Sequence, residues 1–121
     1  MTRSASPAEK QLPLKPVVFH ILLALAEQEC HGYGVIRTVR ERSEGRVRLE
    51  TGPFYRHLKK LMDGRLVEES TTRPPDDDRR RGAYYRLTEF GREVVTAEGK
   101  RLAGLVSVTR QLGLMPEKRT P

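Results

Sequence analysis

Three histidines, one cysteine and a run of three aspartates are the residues of this chain that could activate a nucleophile or hold a metal. Their spacing serves neither purpose. His20, His31 and His57 fall on three different segments, with no interval that would bring two of them onto one ion. Asp76, Asp77 and Asp78 are adjacent on a turn, where neighbouring side chains rarely converge on a cation without further ligands. No Ser/His/Asp set and no phosphate-cradling glycine-rich loop is recognisable. No enzyme, metal or cofactor is therefore expected. Cys30 has no second cysteine to pair with, so it reads as a partly buried free thiol.

The chemistry that the chain does carry is cationic. Lys and Arg total 23 against 16 Asp and Glu, and the resulting +7 favours a polyanionic partner, either nucleic acid or an anionic membrane surface. Arg56, Lys59 and Lys60 share one flank of a helical stretch, with Tyr55 near its N-terminal tip and Thr51 at its start. Such a helix fits the major groove of double-stranded DNA, where arginine takes guanine edges and lysine the phosphates. A solvated helix face that is merely basic has the same composition. Arg79, Arg80 and Arg81 form a second group, able to follow a phosphate backbone or to pair with the preceding aspartates. Tyr33 suits a phosphate contact or a packing role, and His31 suits a helix cap.

Those residues need elements to hold them. Pro13 and Pro16 precede a helix over 17–27, where Val18, Ile21, Leu22, Leu25 and Ala26 recur at helical spacing and Phe19 and Leu23 broaden the stripe. A second helix opens at His31–Gly32–Tyr33–Gly34, faces Val35, Ile36 and Val39 inward, and ends near Gly45. Residues 46–49 alternate and allow a short strand. Thr51, Gly52 and Pro53 spell a helix start, a capping side chain followed by a proline in the first turn. The helix over 53–62 buries Phe54, Leu58, Leu61 and Met62, and Asp63–Gly64 ends it. Strands over 66–72 and 83–87 flank a long charged tip. Thr88 caps a last helix over 89–112, which Gly113 stops.

This order predicts a mainly α fold with a small β-hairpin, a winged helix-turn-helix with a long C-terminal dimerisation helix. The expected divisions are a flexible arm over 1–11, the DNA-binding domain over 12–87, the dimerisation helix over 88–113 and a tail over 114–121. Val94, Ala97, Leu102, Leu105, Val108 and Leu112 lie on or beside a heptad seam, interrupted by Arg101, that a second copy would cover. Packing of that seam onto the first helix of the same chain is the alternative. A small-molecule effector, if one exists, belongs near Phe19, Leu23, Leu102 and Leu105. Residues 1–10 lack a signal peptide's apolar stretch, and 17–26, broken by His20, is far shorter than the ~20 residues of a membrane span, so a cytoplasmic protein is expected. Basic residues spread over several elements argue against membrane-surface binding. Docking of an acidic protein partner stays open.

The motifs fall in a recognisable order: His31–Gly32–Tyr33–Gly34, then Gly52–Pro53–Phe54–Tyr55–Arg56–His57–Leu58–Lys59–Lys60–Leu61, then Gly64–Arg65–Leu66–Val67, then Tyr84–Tyr85–Arg86–Leu87–Thr88–Glu89–Phe90–Gly91. Together they resemble the signature of the PadR family across residues 14–112. The resemblance implies a winged helix-turn-helix that dimerises through its C-terminal helix and usually represses nearby genes. It implies DNA contact by Tyr55, Arg56 and Lys59, and by Tyr33. Pro53 departs from the family's common Ser or Thr, which removes a hydroxyl suited to a phosphate. Family members that bind flat hydrophobic drugs tend to use aromatic residues at the dimer interface, and this chain has no Trp.

Overall fold

Four amphipathic helices and three short strands make up the computed structural model, which describes residues 4–71 and 82–116. Helix α1 (Pro16–Glu27) starts on a proline at its first position and buries Ile21, Leu22, Ala24 and Leu25. It packs against α2 (Gly32–Arg42), α4 (Glu89–Gln111) and strand β3 (Tyr84–Leu87), and so stands at the centre of the core. Helix α2 buries Val35, Ile36 and Val39, and α3 (Thr51–Asp63) buries Phe54, Leu58 and Leu61. Among the described residues no helix is long and apolar enough to cross a membrane.

The antiparallel sheet has the order β1-β3-β2, with β1 at Cys30–His31 and β2 at Val67–Glu69. Val67 stands opposite Leu87, Glu68 opposite Arg86 and Glu69 opposite Tyr85, while Cys30 and His31 face Tyr85 and Tyr84. The hairpin expected from the sequence is present, and a third strand joins it. No strand forms at 46–49. There Leu49 is buried and anchors the α2–α3 connection to the core.

Helices α2, α3 and α4 end in one way. The last turn closes with paired bonds: Gly45 N–H to the Arg40 carbonyl, Leu66 N–H to Leu61 and Leu114 N–H to Thr109, at 2.9, 2.9 and 3.1 Å. This closure needs a left-handed residue just past the cap. Only α4 places glycine there, Gly113 with φ of 75°; α2 uses Glu44 at 55° and α3 uses Arg65 at 64°. The glycines expected to stop the helices, Gly45 and Gly64, each lie one residue from the strained position. The start of α3 differs as well. Its N-cap is Glu50 and no side chain caps it, so Thr51 is the first helical residue and not the cap.

Thr88 ties α4 to the α3–β2 turn. Its hydroxyl accepts from Gly91 N–H at 2.9 Å and donates to the Arg65 carbonyl at 2.6 Å, and its own N–H donates to the Leu66 carbonyl. A Cβ on Gly91 would collide with that same Leu66 carbonyl. Val94, expected on the dimer seam, is instead wholly buried in its own chain's core, and Ala97 packs partly against it. The later residues of the seam emerge: Leu105, Val108 and Leu112 are 54%, 48% and 68% exposed.

The stretch read as a flexible arm carries a turn of 3-10 helix, Glu9–Gln11, that packs on α4, with Ala8 buried. Ser6 and Glu9 exchange side-chain-to-backbone bonds of 3.1 and 3.2 Å in a small capping box. Beyond it, Leu14 N–H donates to Glu98 Oε2 at 2.8 Å, and Arg101 Nε donates to Glu98 Oε1 at 2.5 Å. Glu98 is only 1% exposed. Arg101, read as a weak point of the seam, is thus the partner of a buried carboxylate.

Arg101's hydrogen bond holds the Glu98 carboxyl below the usual carboxylate range; burial opposes this and the Leu14 N–H adds to it. Because the folded value lies below that of the unfolded chain, the stabilisation is complete above the unfolded pKa and is lost as pH falls through the folded one. Glu98→Ala, which leaves the Leu14 N–H without its acceptor, is expected to lower stability by about 1–3 kcal/mol at neutral pH in urea unfolding. The gap from wild type should narrow below about pH 4. By the same assay Glu44→Gly, which relieves a left-handed side chain, is expected to raise stability by up to about 1 kcal/mol.

Candidate nucleic-acid interface

Burial of Phe54, Leu58 and Leu61 sets the rotation of α3, and the helical repeat then turns Tyr55, Arg56, Lys59 and Lys60 outward. All four are exposed, Tyr55 to 46%. Among the described residues none of the three cations is paired with a carboxylate. The Thr51 hydroxyl, freed from capping, is exposed at the N-terminal end of the same helix.

The Tyr55 ring stands edge-on to Phe54, centroids 4.9 Å apart at 72°, and its hydroxyl reaches the start of α2. A Cβ on Gly32 would lie 2.7 Å from that hydroxyl and 3.1 Å from the Phe54 ring. Gly32 therefore lets the tip of α3 meet the first turn of α2. His31 holds that turn in place, its Nδ1 accepting from Gly34 N–H at 3.1 Å, while its ring meets Tyr84 edge-on at 5.4 Å. Tyr33, two residues on, projects into solvent and is 69% exposed. The fold thus brings Tyr33 and Tyr55, 22 positions apart in number, to one end of α2. Tyr85 of β3 lies near Tyr55: burial pushes its phenol up, and Tyr55 and Glu69 add to this.

Further cations lie outside the residues expected from the sequence to meet DNA. Arg37 and Arg40 on α2, Arg46 and Arg48 on the α2–α3 connection, and Lys15 before α1 are exposed, and unpaired among the described residues. His57, on the edge of α3, is half-buried, and its protonation is disfavoured by burial first, then by Lys15, Lys60 and Arg56. Some arginines elsewhere pair with carboxylates. Arg42 pairs with Glu27, and Arg86 bridges Glu68 at 2.9 Å and Glu29 at 3.8 Å. Glu29 also accepts from the Ser70 hydroxyl at 2.6 Å, which fastens the base of the β2–β3 hairpin to the segment before β1.

Arg79, Arg80 and Arg81, with Asp76, Asp77 and Asp78, lie outside the described residues. Phe19, Leu23 and Leu102 are half-buried, and Leu105 is exposed. An open hollow of about 480 Å³ occurs elsewhere, at the junction of β2 and α4, lined by Met62, Val67, Thr88 and Phe90 among others.

Phenol and guanidinium donors, ammonium charges and an apolar backing make this face suited to holding phosphates and base edges. Comparison with known proteins accords with that. The chain is similar to a PadR family transcription regulator from hypervirulent Clostridium difficile R20291, at 25% identity over 81% of this chain and 98% of that one, with a TM-score of 0.66. It shares its fold with a PadR-like transcriptional regulator from Bacillus cereus strain ATCC 14579 (24% identity, 84% and 93% covered, TM-score 0.64). A Streptococcus transcriptional regulator has the same fold at 19% identity, with 90% and 99% covered and a TM-score of 0.65. No curated protein matches the chain. The profile of the Transcriptional regulator PadR-like family matches residues 21–97, from the core of α1 into α4. The chain belongs to the PadR-like family of transcriptional regulators, with the family's winged-helix fold.

Proposed function

We propose that this protein is a sequence-specific DNA-binding regulator, a homodimeric repressor of a palindromic operator. The observation that carries the reading is the outward face of α3, where Arg56, Lys59 and Lys60 are exposed, unpaired among the described residues and backed by a buried apolar stripe. Tyr55, Arg56, Lys59 and Lys60 enter the major groove; Tyr33 and Thr51 meet flanking phosphates; Arg79, Arg80 and Arg81 follow the backbone on either side. The second copy adds a second α3 and makes the recognised site two-fold symmetric. The apolar residues Leu105, Val108 and Leu112 of α4 supply the contact between copies. In such a dimer an apolar effector would enter between α1 and α4, near Phe19, Leu23, Leu102 and Leu105.

Arg56→Ala combined with Lys60→Ala is expected to weaken binding to the operator duplex at least about tenfold to a hundredfold. Thermal unfolding should stay within about 0.5 kcal/mol of wild type, since both side chains are at the surface. Retained operator affinity in the double variant would contradict the placement of α3. Sedimentation tests the assembly. Leu105→Asp with Val108→Asp is expected to convert a dimer into a folded monomer, and an unchanged mass would move the interface elsewhere.

A further inference from the structure

Two of the sequence motifs are not used by the outward faces of α2 and α3: Gly64–Arg65–Leu66–Val67, and Thr88–Glu89–Phe90–Gly91. In the structure they meet each other. The Thr88 hydroxyl donates to the Arg65 carbonyl at 2.6 Å, with the Leu66 carbonyl at 3.2 Å, and accepts from Gly91 N–H at 2.9 Å. The Thr88 N–H donates to the Leu66 carbonyl at 3.0 Å. Among the described residues, every hydrogen bond between the Arg65–Leu66 turn and the start of α4 passes through Thr88. The two pieces also fit closely, since a Cβ on Gly91 would collide with the Leu66 carbonyl. On the α3 side the turn is tightly closed. Leu66 N–H donates to the Leu61 carbonyl at 2.9 Å and Arg65 N–H to the Met62 carbonyl at 3.0 Å. Arg65 itself is left-handed, with φ of 64°, a conformation that a side chain opposes and that persists where the surroundings fix it. Helix α3 is thus held at both ends, its tip by the first turn of α2 and its end by the first turn of α4.

We propose that this joint fixes the separation of the two α3 helices in the dimer, and that Thr88 is the positioning residue for the half-site spacing the protein accepts. The inference rests on the dimeric DNA reading above and adds to it a determinant of specificity that works without contact with DNA. The second copy joins at Leu105, Val108 and Leu112, about 20–30 Å beyond Gly91 at a rise of about 1.5 Å per residue. The path from one α3 to the other therefore runs through the joint, along α4 and across the contact between copies. Over that length a swing of roughly 10° at the joint displaces α3 by about 3–5 Å, as much as one base-pair step of about 3.4 Å. Burial of Val94 keeps α4 on the core, but apolar packing is non-directional; the bonds of Thr88 are directional and set the angle. A rigid joint accepts one spacing of half-sites, and a loosened one accepts several.

The test re-spaces the half-sites. They are located by footprinting in the DNA upstream of the protein's own coding sequence, and duplexes are made with one base pair inserted or removed between them. A duplex with a single half-site serves as the control. Wild-type affinity should fall at least about tenfold when the spacing changes by one base pair. Thr88→Asp keeps an acceptor for Gly91 N–H but has no proton to give the Arg65 carbonyl, so α4 stays capped while the joint opens. It should reduce that loss to about threefold or less and leave affinity for the single half-site unchanged. Thr88→Ser keeps the hydroxyl and should retain the wild-type profile. Thr88→Val, close in volume and without the hydroxyl, gives the same readout where Thr88→Asp lowers the melting temperature. A merely structural role would weaken every duplex by one factor, the single half-site included, and leave the dependence on spacing as steep as before. That result would overturn the proposal, as would a wild type indifferent to spacing, and either leaves the DNA reading in place. Wild-type protein that protects no paired half-sites would remove the dimeric DNA reading itself, and the role of the joint with it.

Discussion

The rotation of α3 about its own axis is the constraint on which the interface depends. Phe54, Leu58 and Leu61 are buried, and each contributes on the order of 1.5–3 kcal/mol by leaving water. Surface charges repel or attract one another by a fraction of that at physiological salt, where screening acts over about 8 Å. Packing therefore decides which way the helix faces, and the cations take the positions that remain. Gly32 extends the same constraint. Without a side chain there, Tyr55 reaches across to the first turn of α2, and that turn is held by the His31 cap.

Carboxylates are distributed to match. Glu27, Glu29, Glu68 and Glu98 each answer an arginine away from the outward face of α3. The net charge of +7 is thus not spread evenly in effect: cations on the exposed side of α2 and α3 keep their full field, and several others lose it. The buried Glu98 serves a further purpose, since it also receives the Leu14 N–H and joins the N-terminal segment to α4. That leaves the far half of α4 to project with its apolar residues uncovered.

Much of this was legible in the sequence because it is local. Helical spacing in α1, α2, α3 and α4, the His31 cap and the Thr88 cap depend on residues within a few positions of one another. The parts that were not legible depend on partners distant in the chain. Strand β1 is two residues long and exists because β3 offers it an open edge. Residues 46–49 have a strand's alternation but no neighbour to pair with. Val94 lies on a heptad with Leu105 and Leu112, and periodicity alone does not tell a residue covered by its own chain from one awaiting a second copy. The helix ends show a subtler limit. Glycine marked each turn of α2 and α3 correctly, but at α2 the left-handed conformation begins on Glu44 before continuing on Gly45, and at α3 it falls on Arg65 beside Gly64.

The central claim is that this surface reads DNA sequence and does not merely attract polyanions. Its most direct test is equilibrium binding of the purified protein to a duplex from upstream of its own gene and to a scrambled duplex of equal length, at near-physiological salt. A preference of about 1000-fold or more for the upstream duplex is expected. Equal, weak binding to both would contradict it.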